Sequence, residues 1–317
     1  MAKVFRIHEN GGPSVLHLEI EEVGAPGPGE VRLIQHAVGI NAVDALVREG
    51  LYPMTLPAIP GFEGAGVIDS VGAGVTGFAV GDRVAYFFAE GGYATGKLSA
   101  TAPLVHIPED IRTDIAGAFL AKGLTAWMGL RALHALTSGD TVLVLGASGS
   151  VGSILSRWAT HLGATVIGVA GSPSKLDKVR AGAAHALLAS DPEAERKIRD
   201  IAPDGVDVVY DFVGQATFAL AAGAIKDGGV IAAIGQASGQ PPVPADLARR
   251  GVEIRGGGTP QYVRGPTVET ATNELWAPCR SGVFADLAIV RYPFEEIARA
   301  HADLAARRLE GIPVAIV

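Results

Sequence analysis

Three glycines, Gly146, Gly149 and Gly152, follow the apolar run Thr141-Val142-Leu143-Val144-Leu145 and open a stretch where Val151, Ile154, Leu155, Trp158 and Leu162 recur at helical spacing. The pattern predicts a strand, a tight turn and a helix that Gly163 stops. A turn of this kind binds anions. Its glycines let the backbone pass close to a pyrophosphate, and the free N–H groups and positive dipole end at the helix start favour negative charge. A second strand predicted over Ala164 to Ala170 completes a strand–helix–strand unit. In that context the spacing G-x-x-G-x-x-G, in place of the commoner G-x-G-x-x-G, points to a dinucleotide.

The end of the second strand says which one. An acid there would bind the ribose 2′-hydroxyl of NAD and repel the extra phosphate of NADP. The chain instead reads Val169-Ala170-Gly171-Ser172-Pro173-Ser174-Lys175, offering two hydroxyls and an ammonium to a 2′-phosphate. The expected cofactor is NADPH. The competing reading has Ser172 or Ser174 capping the next helix and Lys175 solvated.

These residues need a scaffold that the rest of the chain must supply. From Lys3 to about Ile107 short strand-like runs alternate with glycine and proline, the grammar of a β-rich domain closed as a barrel or similar, with one short helix over roughly Ala42 to Glu49. Near Asp114 the pattern turns helical and marks a domain boundary. From Thr141 strands and helices alternate. Strands are predicted at Thr141–Gly146, Ala164–Ala170, Val206–Phe212, Gly229–Gly235 and Val252–Gly257, which is a doubly wound parallel sheet. The tail reads as a helix near Thr267–Ser281, a strand near Ala288–Tyr292, a helix near Phe294–Arg307 and a last strand from Pro313. The fold class is therefore α/β. Residues 1–116 with 260–317 are expected to form one domain and 117–259 the nucleotide-binding domain.

Composition narrows the function. The 317 residues are 48% hydrophobic and 19% charged with a net charge of −7, which disfavours a nucleic-acid surface. The single cysteine, Cys279, excludes an internal disulfide and a Cys-rich zinc cluster, and fits an inert thiol in a reducing cytosol. No apolar stretch of membrane-spanning length and no charged-then-apolar leader is read, so the expected location is the cytoplasm.

The order of motifs resembles the medium-chain dehydrogenase/reductase superfamily, and within it the zinc-free quinone oxidoreductases related to zeta-crystallin. The stretches that carry the resemblance include Gly11-Gly12-Pro13-Ser14-Val15-Leu16, Gly39-Ile40-Asn41-Ala42-Val43-Asp44, Arg48-Glu49-Gly50-Leu51-Tyr52-Pro53, Gly61-Phe62-Glu63-Gly64-Ala65-Gly66, Gly81-Asp82-Arg83-Val84, Lys122-Gly123-Leu124-Thr125 and Val209-Tyr210-Asp211-Phe212-Val213-Gly214. The resemblance implies a GroES-like N-terminal domain beside a Rossmann domain, and a homodimer. It also implies a nicotinamide near Asn41, Ala42, Thr125 and Met128, and a pyrophosphate on Gly149, Ser150 and Val151. The 2′-phosphate would meet Gly171, Ser172 and Lys175, with Gly235 and Gln236 near the nicotinamide ribose and Arg307 toward the adenine. The chain departs from similar enzymes at Ala189 and Leu46, where a tyrosine and an aromatic are usual.

Zinc members of the superfamily have a cysteine where this chain has Asn41 and a histidine where it has Phe62. With one cysteine and eight histidines lacking paired spacing, no metal is expected. Hydride delivery to a quinone or an α,β-unsaturated carbonyl then leaves Asn41 and Tyr52 as candidate hydrogen-bond donors to the substrate oxygen. Asp44 either orients a donor or caps the short helix, and Tyr52 either donates or stacks. The expected activity is NADPH-dependent quinone or enone reduction. The alternatives are an enoyl-thioester or other double-bond reductase and a non-catalytic nucleotide-binding protein.

Overall fold

A computed structural model describes residues 1–317 and divides them into two units, Met1–Ala121 with Leu287–Val317, and Lys122–Asp286. In the first unit the chain runs β1 (Ala2–Arg6), β2 (His17–Glu21), β3 (Glu30–Gly39), α1 (Ala42–Arg48), β4 (Glu63–Val71), β5 (Arg83–Phe87), β6 (Gly96–Ala100) and β7 (Leu104–His106) before entering α2 (Thr113–Trp127). β3 is the backbone of this unit. One of its edges pairs with β4, while the other is shared, residues 30–34 pairing with β6 and 37–39 with the returning C-terminal strand. Its alternation follows from the pleat: Val31, Leu33, Gln35 and Ala37 are buried while Ile34 and His36 are exposed. Val31 and Leu33 join Ile68, Val84, Tyr86 and Leu104 in one core, and Val38 and Ile40 join Phe5, Ile7, Tyr93, Phe294 and Ile297 in another.

The second unit carries β8 (Thr141–Leu145), α3 (Ser150–His161), β9 (Thr165–Ala170), α4 (Leu176–Arg180), β10 (His185–Leu188), α5 (Ala194–Ile201), β11 (Val206–Asp211), α6 (Phe218–Ala224), β12 (Ile225–Ala233), α7 (Ala245–Arg249), β13 (Glu253–Gly256), α8 (Thr259–Tyr262) and α9 (Thr267–Arg280). Its sheet is parallel in every pairing, in the order β10-β9-β8-β11-β12-β13. This is the doubly wound order, in which the chain reverses direction across the sheet between β8 and β11. Leu143, Leu145, Ile167, Val169, Val209 and Ile231 are at most 1% exposed in its core, each stabilising the fold by about 1.5–3 kcal/mol on burial.

After Asp286 the chain returns to the first unit with β14 (Ile289–Pro293), α10 (Ile297–Ala305) and β15 (Ile312–Ile316). The domain limits expected from sequence differ from these at two points. The division falls inside α2 after Ala121, and not after residue 116. α9, expected with the first domain, belongs to the second unit. Leu275 packs so closely on Gly123 that a Cβ there would lie 2.4 Å from Leu275 Cδ1, and Glu274 accepts hydrogen bonds from Trp127 Nε1 at 3.2 Å and Arg131 Nε at 2.9 Å. β10 was not expected. Its His-Ala-Leu-Leu carries little strand signal, and it exists because β9 offers it a pairing edge. The helical pattern that begins near Asp114 opens into a wider π-helical turn over Met128–Leu133.

Candidate active site

In the first unit the polar residues gather at the start of α1. Asn41, in extended conformation at φ −126° and ψ 156°, caps the helix, and Asp44 three residues on completes a capping box. Asp44 Oδ2 accepts the Asn41 backbone N–H at 2.7 Å and the Tyr93 hydroxyl at 2.7 Å. Tyr93 Oη lies 2.7 Å from His301 Nε2, and Arg48 Nη1 lies 2.8 Å from His301 Nδ1. Asp44, Arg48, Tyr93 and His301 are all buried.

Electrostatics assigns the protons along this chain. Burial, reinforced by the Arg48 charge, lowers His301 to about 3, so the imidazole is neutral. A guanidinium only donates, so Nδ1 is the acceptor from Arg48 and Nε2 carries the hydrogen given to Tyr93. Burial, then the neighbouring Asp44 charge, raises the Tyr93 phenol well above its ordinary range, and it stays protonated to donate to Asp44. The hydrogen bonds therefore run in one direction, from Arg48 through His301 and Tyr93 to Asp44.

The Asn41 side chain, half-buried, donates from Nδ2 to Glu63 Oε2 at 3.0 Å. Tyr52 stands in the loop after α1, where its N–H and that of Leu51 both reach the Leu46 carbonyl, and its side chain is 51% exposed. Ala42 is exposed at the first turn of α1, and Arg307, exposed, takes a positive φ of 55° just beyond α10.

In the second unit the candidates other than Thr125 and Met128 lie beyond the carboxyl ends of three strands, β8, β9 and β12. Gly146, at φ +79°, turns the chain out of β8, and a Cβ on Gly152 would lie 2.4 Å from the Gly146 carbonyl oxygen, so any side chain there would force the turn apart. Gly149 caps α3, leaving the N–H groups of Ser150 and Val151 without intrahelical partners at the positive end of a twelve-residue helix. Beyond β9, Gly171 is exposed, and the Ser172 and Ser174 hydroxyls lie 3.1 Å apart with Lys175 beside them. Ser172 makes no capping bond, so its hydroxyl is not committed to the following helix. Beyond β11, buried Asp211 accepts the N–H groups of Val213 and Gly214 at 2.8 and 3.0 Å and holds that turn. Gly235 follows β12 with its N–H on the Asp211 carbonyl at 3.0 Å, and Gln236 is exposed. Thr125 Oγ1 lies 2.9 Å from Thr259 Oγ1, and Met128 is buried.

The cluster of Asp44, Glu63, Arg48, Tyr93 and His301 went unread in the sequence except for Asp44. Its members are 257 positions apart at the extremes (301 − 44), and besides Asp44 only Arg48 and Glu63, each within a quoted motif, carried a local signal.

The donor set does not suit a metal. No group of three or more His, Cys, Asp or Glu side chains is placed to hold an ion, and the positions that bind zinc elsewhere in the superfamily carry the Asn41 amide and the Phe62 ring. Burial pushes the Cys279 thiol up to about 12, far from the thiolate a metal needs. No helix is long and apolar enough to cross a membrane.

Residues 27–127 match the family model of the alcohol dehydrogenase GroES-like domain, and residues 150–269 that of the zinc-binding dehydrogenases. A quinone oxidoreductase of Pseudomonas aeruginosa is 36% identical over 99% of both chains. A 2-haloacrylate reductase of a Burkholderia species is 35% identical over 96% of both. Among solved structures, Escherichia coli quinone oxidoreductase complexed with NADPH is 29% identical, with a TM-score of 0.94 over 99% of this chain and 100% of that one.

Proposed function

The chain belongs to the quinone oxidoreductase family of the medium-chain dehydrogenase/reductase superfamily, and from that membership we propose that it reduces a quinone or an α,β-unsaturated carbonyl with NADPH, without a metal. The observation that carries the cofactor choice is the end of β9, where Ser172, Ser174 and Lys175 stand and no acid does. The α3 N-terminus and the glycines before it hold the pyrophosphate, with Gly235, Gln236, Thr125, Met128 and Ala42 toward the nicotinamide half and Arg307 toward the adenine. When bound, NADPH supplies a hydride to an electrophilic carbon of the substrate.

The residues of the chain then have one electronic task, to stabilise negative charge on the substrate oxygen. Asn41 Nδ2 has a second hydrogen besides the one given to Glu63, and it serves as the donor. Tyr52, exposed in the loop after α1, either donates from its hydroxyl or stacks on a quinone ring. Asp44 orients Asn41 through the backbone N–H it accepts. The E. coli relative complexed with NADPH supports this reading, and the 2-haloacrylate reductase favours a second one, reduction of an alkene conjugated to a carboxyl or thioester carbonyl. The enzyme is proposed to work in the cytoplasm as a homodimer.

A substrate panel decides it. NADPH oxidation is followed with 1,4-benzoquinone, an enone, 2-chloroacrylate and an enoyl thioester, with and without chelator. Turnover of the quinone or enone that survives chelation is the expected result, and Asn41→Ala should lower kcat on the order of 10²-fold. Turnover confined to an enoyl thioester would favour the alternative, and binding of NADPH with no turnover of any acceptor would favour a non-catalytic role.

A further inference from the structure

Glu63 has no part in the scheme above, yet it is fully buried and built around. Its Oε1 accepts the Ala121 backbone N–H at 2.7 Å and its Oε2 accepts Asn41 Nδ2 at 3.0 Å. Room is reserved for it: a Cβ at Gly39 would lie 2.1 Å from Glu63 Oε2 and 2.7 Å from the Gly117 carbonyl oxygen. Burying a carboxyl costs several kcal/mol unless it is fully bonded, so so well-housed a group at the edge of a candidate site invites a reason.

The reason lies in the symmetry of a carboxamide. Asn41 has an oxygen and a nitrogen at nearly interchangeable positions, and a half-turn exchanges a donor for an acceptor. An ionised carboxylate only accepts, so an amide facing it presents nitrogen. With Nδ2 drawn to Glu63, the Asn41 oxygen turns to the Asp44 N–H in the capping box. One Nδ2 hydrogen remains, in one orientation. We infer that Glu63 is a positioning residue that fixes the Asn41 carboxamide so that this hydrogen is always offered to the substrate oxygen. The inference rests on the proposed role of Asn41 as donor.

Glu63→Gln tests it because it keeps the shape and breaks the logic. A carboxamide at position 63 has one acceptor for two donors, Asn41 Nδ2 and the Ala121 N–H. Asn41 relieves the clash by turning over, which gives up its oxygen's bond to the Asp44 N–H and takes its nitrogen away from the substrate. With NADPH and 1,4-benzoquinone, kcat should fall roughly tenfold or more, a share of the 10²–10³ that losing a donor outright costs on the order of magnitude, while the NADPH dissociation constant stays within about twofold. In an Asn41→Ala background the same change should cost less than about twofold, since there is no amide left to orient.

Four outcomes overturn the inference or what it stands on. An unchanged kcat in a folded Glu63→Gln enzyme sinks the inference alone, as does an equal loss in both backgrounds, which would mark a merely structural role. An Asn41→Ala enzyme at wild-type kcat sinks the donor assignment and the inference with it. Should Glu63→Gln not fold, the wild-type protein still answers. The Asn41 side-chain amide, identified in an NMR spectrum by its loss in Asn41→Ala, should show one strongly downfield proton, and two protons at ordinary amide positions would overturn the inference.

Discussion

Tyr93 and Asp44 share a hydrogen bond of 2.7 Å in which the phenol donates, and it ties the start of α1 to His301 on α10. Both side chains are completely buried. Tyr93→Phe would leave the His301 Nε2 hydrogen without its acceptor and strip one donor from Asp44. Stranding such groups away from water costs about 1–3 kcal/mol. Urea unfolding of the variant should show a loss of that size. A change below about 0.5 kcal/mol would mean that the chain of hydrogen bonds is not formed.

His301 also makes stability depend on pH. Its folded value, about 3, lies below the ordinary 6.5, so between these limits the unfolded chain binds the extra proton. Stability from keeping the ring neutral is fully present above 6.5 and is lost as pH falls through the window. His301→Gln removes this dependence while also losing bonds to Arg48 and Tyr93. The stability gap between wild type and variant should therefore be largest near about pH 8 and shrink toward about pH 4. Urea midpoints measured across that range test the sign, and a gap that widened in acid would contradict a neutral buried ring.

Lys175 bears on cofactor choice. It stands beside the Ser172 and Ser174 hydroxyls with no ion-pair partner within the chain, so a 2′-phosphate would not have to displace one. Lys175→Ala should erase about 1.5–3 kcal/mol of the preference for NADPH over NADH, the usual worth of a charged hydrogen bond. Fluorescence titration with each cofactor measures it. Equal affinities in the unaltered protein would remove the basis for the assignment.

What could be read in advance follows from how local each signal is. The turn Gly146 to Gly152 was legible because strand, glycine spacing and helix periodicity sit within about twenty residues. β8, β9, β11 and β12 were legible as apolar runs, because a parallel strand buried on both faces needs no partner to show its character. β10 was not, since His185–Leu188 takes its conformation from the edge of β9. The same holds for the site. Asn41 and Asp44 stood out because both lie in one short motif, Gly39 to Asp44, at the start of an expected helix, whereas Tyr93 and His301 meet Asp44 only through tertiary folding. Their buried polar side chains looked like ordinary core or surface residues until β-strands and α10 brought them together. The placement of α9 likewise depended on Leu275 meeting Gly123, a contact between positions 152 residues apart (275 − 123).

The last prediction concerns assembly and starts from β13. It pairs only with β12, so it is the free edge of the parallel sheet, and all four of its residues are exposed, Ile254 among them. A free edge presents unpaired N–H and C=O groups and invites another strand unless something blocks it. Some blocking exists here: Tyr262 on α8 donates its hydroxyl to the Gly256 carbonyl at 2.7 Å, and Arg255 pairs with Glu253 along the strand. Neither covers Ile254. An apolar side chain left open on an edge strand, followed by glycines at 256, 257 and 258 that let two backbones approach, favours pairing with a second copy about a two-fold axis. Light scattering coupled to gel filtration should give a mass near twice the 32.5 kDa of one chain. Ile254→Lys, which puts a charge on the edge, should shift the mass toward a single chain. A mass of one chain for the unaltered protein, constant as concentration rises, would rule the dimer out.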